Sequence, residues 1–217
     1  MNKLSEDKYI SKQIVRRLPR YFRFLGELKE RGVERISSTD LSKLMNVTAS
    51  QIRQDLNKFG GFGQQGYGYN VNYLHQEIGR ILGIDTPHNM IMIGAGNLCS
   101  AIMHYRSFPR YGFNIIAAFD VCPDKIGQPI NGIEIRDMEE LESFISSHKV
   151  DIAVVTVPTS SAPDVLTRLG RTNIKGIWNF AHIDVEMPNN IQVENVHLSE
   201  SLMILSYHIA ERQNEEK

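Results

Sequence analysis

The chain has 217 residues and a net charge of −1, a length that suits one large domain or two small ones with a buried core. Its 41% hydrophobic and 23% charged residues are ordinary for a soluble globular protein, and no apolar run approaches the ~20 residues of a membrane span. Two cysteines exclude a disulfide framework or a cysteine-rich zinc site, and the polar N-terminus does not resemble a secretory signal. We therefore expect a cytoplasmic protein.

The small net charge hides an uneven distribution. Residues 1–80 hold 14 Lys and Arg against 8 Asp and Glu, a net of +6, whereas residues 81–217 hold 10 against 17, a net of −7. A basic first third joined to an acidic remainder favours a module that binds a polyanion, carried on a separate domain. A solvated surface with uneven charge is the alternative, and charge by itself leaves both open.

The basic third contains three short segments with helical spacing. Pro19 predicts the start of the first helix, because proline is tolerated in a first turn. Ser37 with Asp40, and Thr48 with Gln51, have the spacing of capping boxes that begin the second and third helices. A link of two residues between those helices leaves room only for a tight turn, which predicts a helix-turn-helix.

The third helix has a polar outer face that suits DNA. Hydrogen-bonding or cationic side chains of this kind read base edges and bind phosphates in the major groove. One acid, Asp55, is expected on the same face. The predicted DNA-binding residues of this helix are Ser50, Gln51, Arg53, Gln54, Asn57 and Lys58.

A glycine-rich run, GGFGQQGYGYNV, follows this helix and predicts a hairpin, or wing. Gln64, Gln65 and Tyr67 of the run are added to the predicted DNA-binding set. A helix-turn-helix with a wing is a DNA-binding arrangement that usually works as a dimer on two half-sites. Helical hairpins with polar faces also occur in ordinary protein cores, and that alternative stays open.

From residue 89 onward, strand and helix patterns alternate. Continuous apolar runs such as 152–157 are typical of strands covered on both faces, and regular alternation predicts a doubly wound parallel sheet. The predicted fold is α/β: a winged helix-turn-helix domain (1–84), a Rossmann-type domain (85–198) and a terminal helix (199–217). The terminal helix carries an apolar stripe, which suits either packing on the sheet or dimerisation.

The motif GAGNLC, residues 94–99, nearly matches a dinucleotide-binding turn. Gly94 permits the tight turn, and Gly96 lets the backbone approach a pyrophosphate at the start of a helix. Cys99 replaces the third glycine. Asp120, 26 residues after Gly94, is placed to hold ribose hydroxyls, and its acidic type favours NAD over NADP. A Rossmann-like domain that binds coenzyme A, or no nucleotide, is the alternative.

The residues of this motif favour binding over catalysis. Cys99 is a small buried hydrophobe in the favoured interpretation, and a reactive thiol at a helix N-terminus in the other. No Ser/Tyr/Lys or His/Asp catalytic arrangement is recognisable in the sequence. The chain from residue 89 onward has only about 130 residues, enough for the nucleotide-binding fold and a terminal helix but not for a separate substrate domain. The histidines show no metal-ligand spacing, so we predict neither an enzyme nor a metal site.

Taken together, the chain resembles the Rex family of bacterial redox-sensing transcriptional repressors, in particular its clostridial-type branch. The resemblance covers nearly the whole chain, and the glycine-rich wing is its most distinctive part. The segments that carry it are RRLPRYFRFL, ISSTDLS, SQIRQDLNKFGGFGQQGYGYNV, IGAGNL, MHY, AFDVCPDKIG, VVTVP and IKGIWNF.

The resemblance implies a homodimer that binds a palindromic operator in double-stranded DNA and leaves it when NADH, rather than NAD+, fills the Rossmann domains. It also implies that the terminal helix is exchanged between subunits. Arg17 matches an arginine that links the DNA-binding domain to the nucleotide domains, and it completes the predicted DNA-binding set. Tyr105 matches a tyrosine at the nicotinamide. His197 stands where many members have an aspartate. The predicted cofactor-binding set is Gly94, Ala95, Gly96, Asn97, Leu98, Cys99, Tyr105, Asp120 and Pro158.

Overall fold

The structure is a computed structural model that describes residues 11–58, 63–64 and 67–215. The chain divides into two compact units, Met1–Thr86 and Pro87–Lys217. No helix among the described residues combines the length and the apolar character needed to cross a membrane.

The first unit is a winged helix-turn-helix, as predicted. Its three strands form an antiparallel sheet in the order β1-β3-β2, and β2 and β3 are the two sides of the wing. In chain order its elements are α1 (Lys12–Glu30), β1 (Arg35–Ile36), α2 (Ser38–Met45), α3 (Ala49–Asn57), β2 (Gly63–Gln64), β3 (Gly68–Asn70) and α4 (Val71–Ile81).

The two caps predicted for α2 and α3 are confirmed. The Asp40 N–H donates to Ser37 Oγ at 3.0 Å, and the Gln51 N–H donates to Thr48 Oγ1 at 3.1 Å. Asn46 ends α2 in the left-handed conformation, with φ 50°, which a short polar side chain tolerates well. The turn between the helices is therefore built from local hydrogen bonds.

The predicted helix start at Pro19 is wrong, because α1 begins at Lys12 and contains the proline. A proline inside a helix has no N–H to give the carbonyl four residues earlier, here that of Val15. Val15 lies on the exposed side of α1, so water can satisfy that carbonyl. Ile14 is buried and Leu18 belongs to the core of the unit, and this burial holds the turns that precede the proline.

The second unit is a seven-stranded sheet in the order β10-β9-β8-β4-β5-β7-β6, in which every pairing except that of β6 with β7 is parallel. Two 3₁₀ helices lie at Pro109–Tyr111 and Met138–Glu140. Its other elements are β4 (His88–Ile93), α5 (Asn97–Met103), β5 (Phe113–Asp120), β6 (Pro129–Ile130), β7 (Ile133–Asp137), α6 (Leu141–Ser147), β8 (Ile152–Val155), α7 (Ala162–Leu169), β9 (Gly176–Asn179), β10 (Gln192–Asn195) and α8 (Leu198–Glu215).

The sheet is covered on both faces, which explains the continuous apolar runs of its strands. Ile91 and Ile93 of β4 pack with α6 and α7, whereas Met90 and Met92 of the same strand pack with α5. The chain leaves β4 for β5 on one side and returns to β8 on the other. The carboxyl ends of β4 and β8 therefore flank the switch point at which such sheets bind ligands.

The short hairpin of β6 and β7 was not predicted, although its signal is present in the sequence. Asn131 and Gly132 both have positive φ, at 48° and 79°, and join two isoleucine-containing strands. An Asn-Gly pair between short apolar segments is the usual sequence of a two-residue hairpin turn.

Gly68 offers a test of the wing. Its φ is +67°, and an added Cβ would lie 2.6 Å from the Ile36 carbonyl oxygen. Gly32 has a similar φ of +72° with no atom within 4 Å of its Cβ position. We expect Gly32→Ala to lower the free energy of unfolding by about 1 kcal/mol through backbone strain. Gly68→Ala should cost roughly 1–3 kcal/mol more, because the strand cannot move away without breaking the sheet.

The measurement is denaturation of the full chain followed by circular dichroism. Equal losses for Gly68→Ala and Gly32→Ala would contradict the close approach of β3 to β1.

Candidate nucleotide cleft and recognition surface

A cleft of about 760 Å³ opens at the carboxyl ends of β4, β5 and β8. Five residues of the predicted cofactor-binding set line it: Gly94, Gly96, Leu98, Asp120 and Pro158. Its other walls come from the loops after β5, β8 and β9, from α7 and from Met138. Residues of these walls that sequence reasoning missed include Val121, Lys125, Thr156, Thr159, Ser161, Arg168 and His182.

Gly94 is required by the protein itself. Its φ is +92°, and a Cβ there would lie 2.8 Å from Val157 Cγ1 and 3.1 Å from the carbonyl group of Thr156. The Thr156 hydroxyl donates to the Gly94 carbonyl at 2.8 Å and also to the Ile93 carbonyl at 3.0 Å. The turn is therefore held tightly against the end of β8, where no side chain at residue 94 would fit.

Gly96 is different, because nothing in the chain requires a glycine there. Its φ is −90°, which any residue can adopt, and no atom lies within 4 Å of its Cβ position. The empty position borders the cleft. The space that a side chain at residue 96 would occupy is therefore free for a ligand. This space, called the cradle below, fits a pyrophosphate lying against the backbone.

The backbone beyond Gly96 has donors to offer. The Ser100 N–H makes the first hydrogen bond of α5, to the Gly96 carbonyl at 3.0 Å. The N–H groups of Asn97, Leu98 and Cys99 precede it and have no acceptor within the helix. The Ala95 N–H, by contrast, is already taken by Asp120.

Asp120 ends β5 as a buried carboxylate with three donors. The N–H of Ala95 donates to Oδ2 at 2.7 Å, the N–H of Cys122 donates to Oδ1 at 2.9 Å, and Lys125 Nζ lies 3.2 Å from Oδ2. Burial raises the pKa of Asp120, but these hydrogen bonds outweigh burial and leave the pKa below its ordinary value. The group is therefore a charged acceptor at neutral pH, suited to ribose hydroxyls and unsuited to a ribose phosphate.

Cys99 is fully buried, with its Sγ 3.6 Å from Met103 Sδ. Burial and the nearby charge of Asp120 raise the pKa of the thiol to about 11, so the sulfur is protonated at neutral pH. A reactive cysteine requires a thiolate. The geometry therefore favours the interpretation of Cys99 as a small packed hydrophobe.

Tyr105 does not line this cleft. It follows α5, its ring packs on Phe108 with 4.8 Å between centroids, and it borders a separate depression that contains Phe113, the first residue of β5. It thus lies toward the amino ends of the strands, whereas the GAGNLC turn lies at their carboxyl ends. Within one protomer the structure does not bring Tyr105 to the other predicted cofactor-binding residues.

His197, which precedes α8, lies close to two polar groups of the same unit. Its Nε2 is 3.4 Å from Asp184 Oδ1, and its ring is edge-on to that of His182, 6.0 Å away between centroids. Asp184 therefore places a carboxylate beside His197, the position at which the family resemblance implies an aspartate. In the described part of the chain, no three His, Cys, Asp or Glu side chains are grouped as metal ligands.

The predicted DNA-binding residues of α3 form one exposed surface. Ser50, Arg53, Gln54, Asn57 and Lys58 are exposed, and Gln51 is half-buried. Arg53 is partly held, because its Nη1 donates to Ser38 Oγ on α2 at 3.0 Å. The helix therefore presents amide and cationic groups together, which is the donor and acceptor set that a major groove accepts.

At the wing, Tyr67 is 70% exposed and its carbonyl accepts from Arg35 Nη1 at 3.1 Å. The Arg35 guanidinium also lies 5.9 Å from the centre of the Tyr67 ring. Arg35 thus adds a cation beside the wing, and sequence reasoning missed it because it lies 32 residues away, in β1. Gln64 lies in β2, and Gln65 lies outside the described residues.

The expectation that Asp55 is exposed beside these residues is wrong. Asp55 is 1% exposed, and its carboxylate accepts from Arg17 Nε and Nη2, both at 2.7 Å, and from the Tyr21 hydroxyl at 2.9 Å. Gln51 Nε2 adds a fourth bond, at 2.8 Å. Burial raises the pKa of Asp55, but the hydrogen bonds from Arg17, Gln51 and Tyr21 hold it below its ordinary value. Arg17, expected to act between domains, is here paired within its own unit.

The two motif glycines give matched variants for the cleft. Gly96→Ala should leave thermal stability almost unchanged, because the new Cβ meets no atom of the protein. The same Cβ would fill the cradle and weaken NADH binding at least tenfold, which corresponds to a loss of about 1.4 kcal/mol of binding free energy. Gly94→Ala should instead destabilise the fold. Fluorescence titration with NADH and thermal denaturation separate the two effects. Unchanged NADH affinity in Gly96→Ala would contradict the pyrophosphate assignment.

Comparison with known proteins agrees with a nucleotide-binding second unit and a DNA-binding first unit. A family model described as a CoA binding domain matches residues 85–183, and one described as a putative DNA-binding protein N-terminus matches residues 9–57. The Redox-sensing transcriptional repressor Rex of Clostridioides difficile (strain 630) is 53% identical over 201 residues, which cover 93% of this chain and 96% of that protein. The protein of the same name from Thermoanaerobacter sp. (strain X514) is 50% identical, over 97% of this chain and 94% of that protein.

Solved structures extend the similarity to the fold. The structure of RSP in complex with β-NAD+ and operator DNA has a TM-score of 0.89 and 50% identity, with 95% of each chain covered. The structure of RSP in complex with β-NADH has a TM-score of 0.88 and 47% identity, covering 96% of this chain and 98% of that chain. With about half of its residues identical over nearly its whole length, this chain belongs to the Rex family of redox-sensing transcriptional repressors.

Proposed function

We propose that this chain acts as a homodimer that binds a palindromic operator through two winged helices and releases it when NADH fills the cleft of the second unit. As a Rex-family member it is a DNA-binding repressor that senses NADH and NAD+, and not an enzyme. The observation that carries the proposal is the unfilled cradle at Gly96 beside the ionised Asp120, in a chain whose other unit presents a recognition helix. We further propose a cytoplasmic location, where both DNA and NADH are available.

The charge of Asp120 favours NAD(H) over the other nucleotides. Coenzyme A and NADPH carry a phosphate on the adenosine ribose, and NAD(H) does not. A buried ionised carboxylate would repel that phosphate, but it can accept hydrogen bonds from free hydroxyls. The description of the matching family model keeps coenzyme A as the second candidate. Lys125, which pairs with Asp120, and Arg168 are cations of the cleft lining that could favour its phosphate.

Helix α8 supports the dimer. Every described side chain from Leu198 to Gln213 is exposed, including seven large apolar ones. At 100° per residue these fall on two opposite sides of the helix: Leu198, Leu202, Leu205 and Ile209 on one, and Met203, Ile204 and Tyr207 on the other. A helix that is apolar on two sides is stable in water only when both sides are covered. A second copy of the chain, which would gain the same cover in return, is the occupant that closed symmetry favours.

The regulation requires differential binding. NADH can release the operator only if it binds the DNA-free form of the dimer more tightly than the DNA-bound form, since equal affinity for both shifts nothing. By linkage, operator DNA must then weaken NADH binding by the same factor.

The direct test is the operator affinity of the full protein, measured by fluorescence anisotropy with and without NADH. We expect saturating NADH to weaken binding by roughly 5–150-fold, the range of ordinary allosteric coupling, and NAD+ to weaken it less. NADH that binds without changing operator affinity would contradict sensing. A titration of NADH, NAD+, NADPH and acetyl-CoA identifies the ligand class, and acetyl-CoA binding most tightly would favour the second candidate.

Asp120→Ala should weaken NADH binding in this assay and leave operator binding without nucleotide intact. Asp124→Ala is the matched control, because Asp124 lies exposed in the same loop and does not line the cleft. If both substitutions changed NADH affinity equally, Asp120 would act only through the net charge of the loop and not through a contact with the ligand.

The dimer is tested by light scattering coupled to size exclusion. We expect Leu202→Glu to shift the chain toward monomer, because a carboxylate would enter a side of α8 that the second copy would cover. Ser206→Glu is the control, since Ser206 lies between the two apolar sides and should tolerate the charge. A wild-type chain that elutes as a monomer would contradict the proposal.

A further inference from the structure

We propose that Asp55 is a positioning residue that fixes the side-chain amide of Gln51 so that Gln51 recognises an adenine of the operator. The proposal rests on the DNA-binding function above and deepens it, because it assigns a base and a mechanism of orientation to one residue of α3.

The first step is the geometry of the carboxylate. Asp55 is held from α1 by a two-pronged contact with Arg17 and by the hydroxyl of Tyr21, while Gln51 donates to it from one turn earlier on α3. Four donors occupy the roughly four acceptor sites of an ionised carboxylate. The carboxylate therefore has a fixed place that depends on two helices and not on Gln51 alone.

The second step is the chemistry of the contact. An ionised carboxylate only accepts hydrogen bonds, so the nitrogen of the Gln51 amide, and not its oxygen, must face Asp55. The contact with Asp55 therefore settles which terminal atom of the Gln51 amide is nitrogen and which is oxygen, an assignment that is otherwise ambiguous. The oxygen Oε1 and the second N–H are left to point away from the network, as one acceptor and one donor side by side.

The third step is the match to a base. In the major groove adenine presents its N6 amino group as a donor and N7 as an acceptor, and glutamine pairs with both at once. Guanine presents two acceptors there, so an amide fixed in this way cannot satisfy it. Gln51 is half-buried and borders a depression of about 610 Å³ between the start of α1 and the outer side of α3, so its amide remains accessible.

Gln51 is distinguished from the other amides of the same helix. Gln54 and Asn57 are also on the DNA-facing side and are exposed, but neither has a side-chain hydrogen-bond partner among the described residues. Their amides can turn to suit either kind of base edge. Only the amide of Gln51 is oriented before DNA arrives, which is what selective recognition requires.

The experiment uses the full-length protein and a DNA duplex that the wild type selects from a random pool. Each adenine is replaced in turn by purine, which lacks the N6 amino group, and by 7-deaza-adenine, which lacks N7. We expect wild type to bind at least tenfold more weakly when either change falls on one particular adenine of each half-site. Gln51→Met should bind the natural and altered duplexes equally at that position.

The role of Asp55 is separated from folding by two further variants. Asp55→Asn should lose the discrimination, because an asparagine can donate as well as accept and leaves the Gln51 amide free to turn. Tyr21→Phe removes one donor to the same carboxylate without touching Gln51, so it should keep the discrimination even if it lowers thermal stability. Loss of discrimination in Tyr21→Phe equal to that in Asp55→Asn would overturn the positioning role.

Gln51→Glu decides the case if Asp55→Asn does not fold. A glutamate keeps an oxygen that could accept from the N6 amino group, but Asp55 would repel it, so the preference for that amino group should disappear. Retention of the preference in Gln51→Glu, or wild-type indifference to both adenine changes, would overturn the inference. A wild type that selects no duplex would instead contradict the DNA-binding function itself.

Discussion

An ionised carboxylate can be buried only if hydrogen-bond donors replace the water that it loses, and the two functional surfaces of this chain are each organised by one such group. In the first unit Asp55 joins α1 to α3 through Arg17, Tyr21 and Gln51. In the second, Asp120 joins the end of β5 to the GAGNLC turn through the Ala95 N–H. Removing Asp55 would leave the buried Tyr21 hydroxyl without this acceptor, and removing Asp120 would do the same to the Ala95 N–H. Each position is therefore constrained by the fold as well as by the ligand.

The cleft and its turn combine requirements of two kinds. Gly94 is needed for the chain to pass the end of β8, whereas no protein atom lies near the Cβ position of Gly96, and we propose that this glycine serves the ligand. Cys99, in place of the third glycine, packs as a buried neutral side chain. A sensor requires different affinities for its ligand in two states and no geometry for hydride transfer, so a packed, protonated Cys99 in the turn is compatible with sensing.

Much of the local structure could be predicted because its causes are local. The caps at Ser37 and Thr48, the glycine turn at residue 94 and the strand–helix alternation depend on residues a few positions apart. The failures have long-range causes. Pro19 lies within α1 because Leu18 packs in a core formed with other helices, and Asp55 is buried because Arg17 and Tyr21 reach it from α1. Helical periodicity places Asp55 beside Gln51 but does not say which neighbour covers it.

The sequence by itself determined the order of elements, the two kinds of domain and the residue types at the nucleotide turn and recognition helix. Periodicity, capping and glycine placement are local energetic preferences, and they are legible in a linear chain. Only the tertiary structure decided that Tyr105 lies away from the cleft and that Lys125 pairs with Asp120 inside it. It likewise decided that Arg35 lies beside Tyr67 at the wing and that the Gln51 amide donates to Asp55. These relations depend on which elements pack together, because hydrogen bonds and burial act between side chains that are neighbours in space.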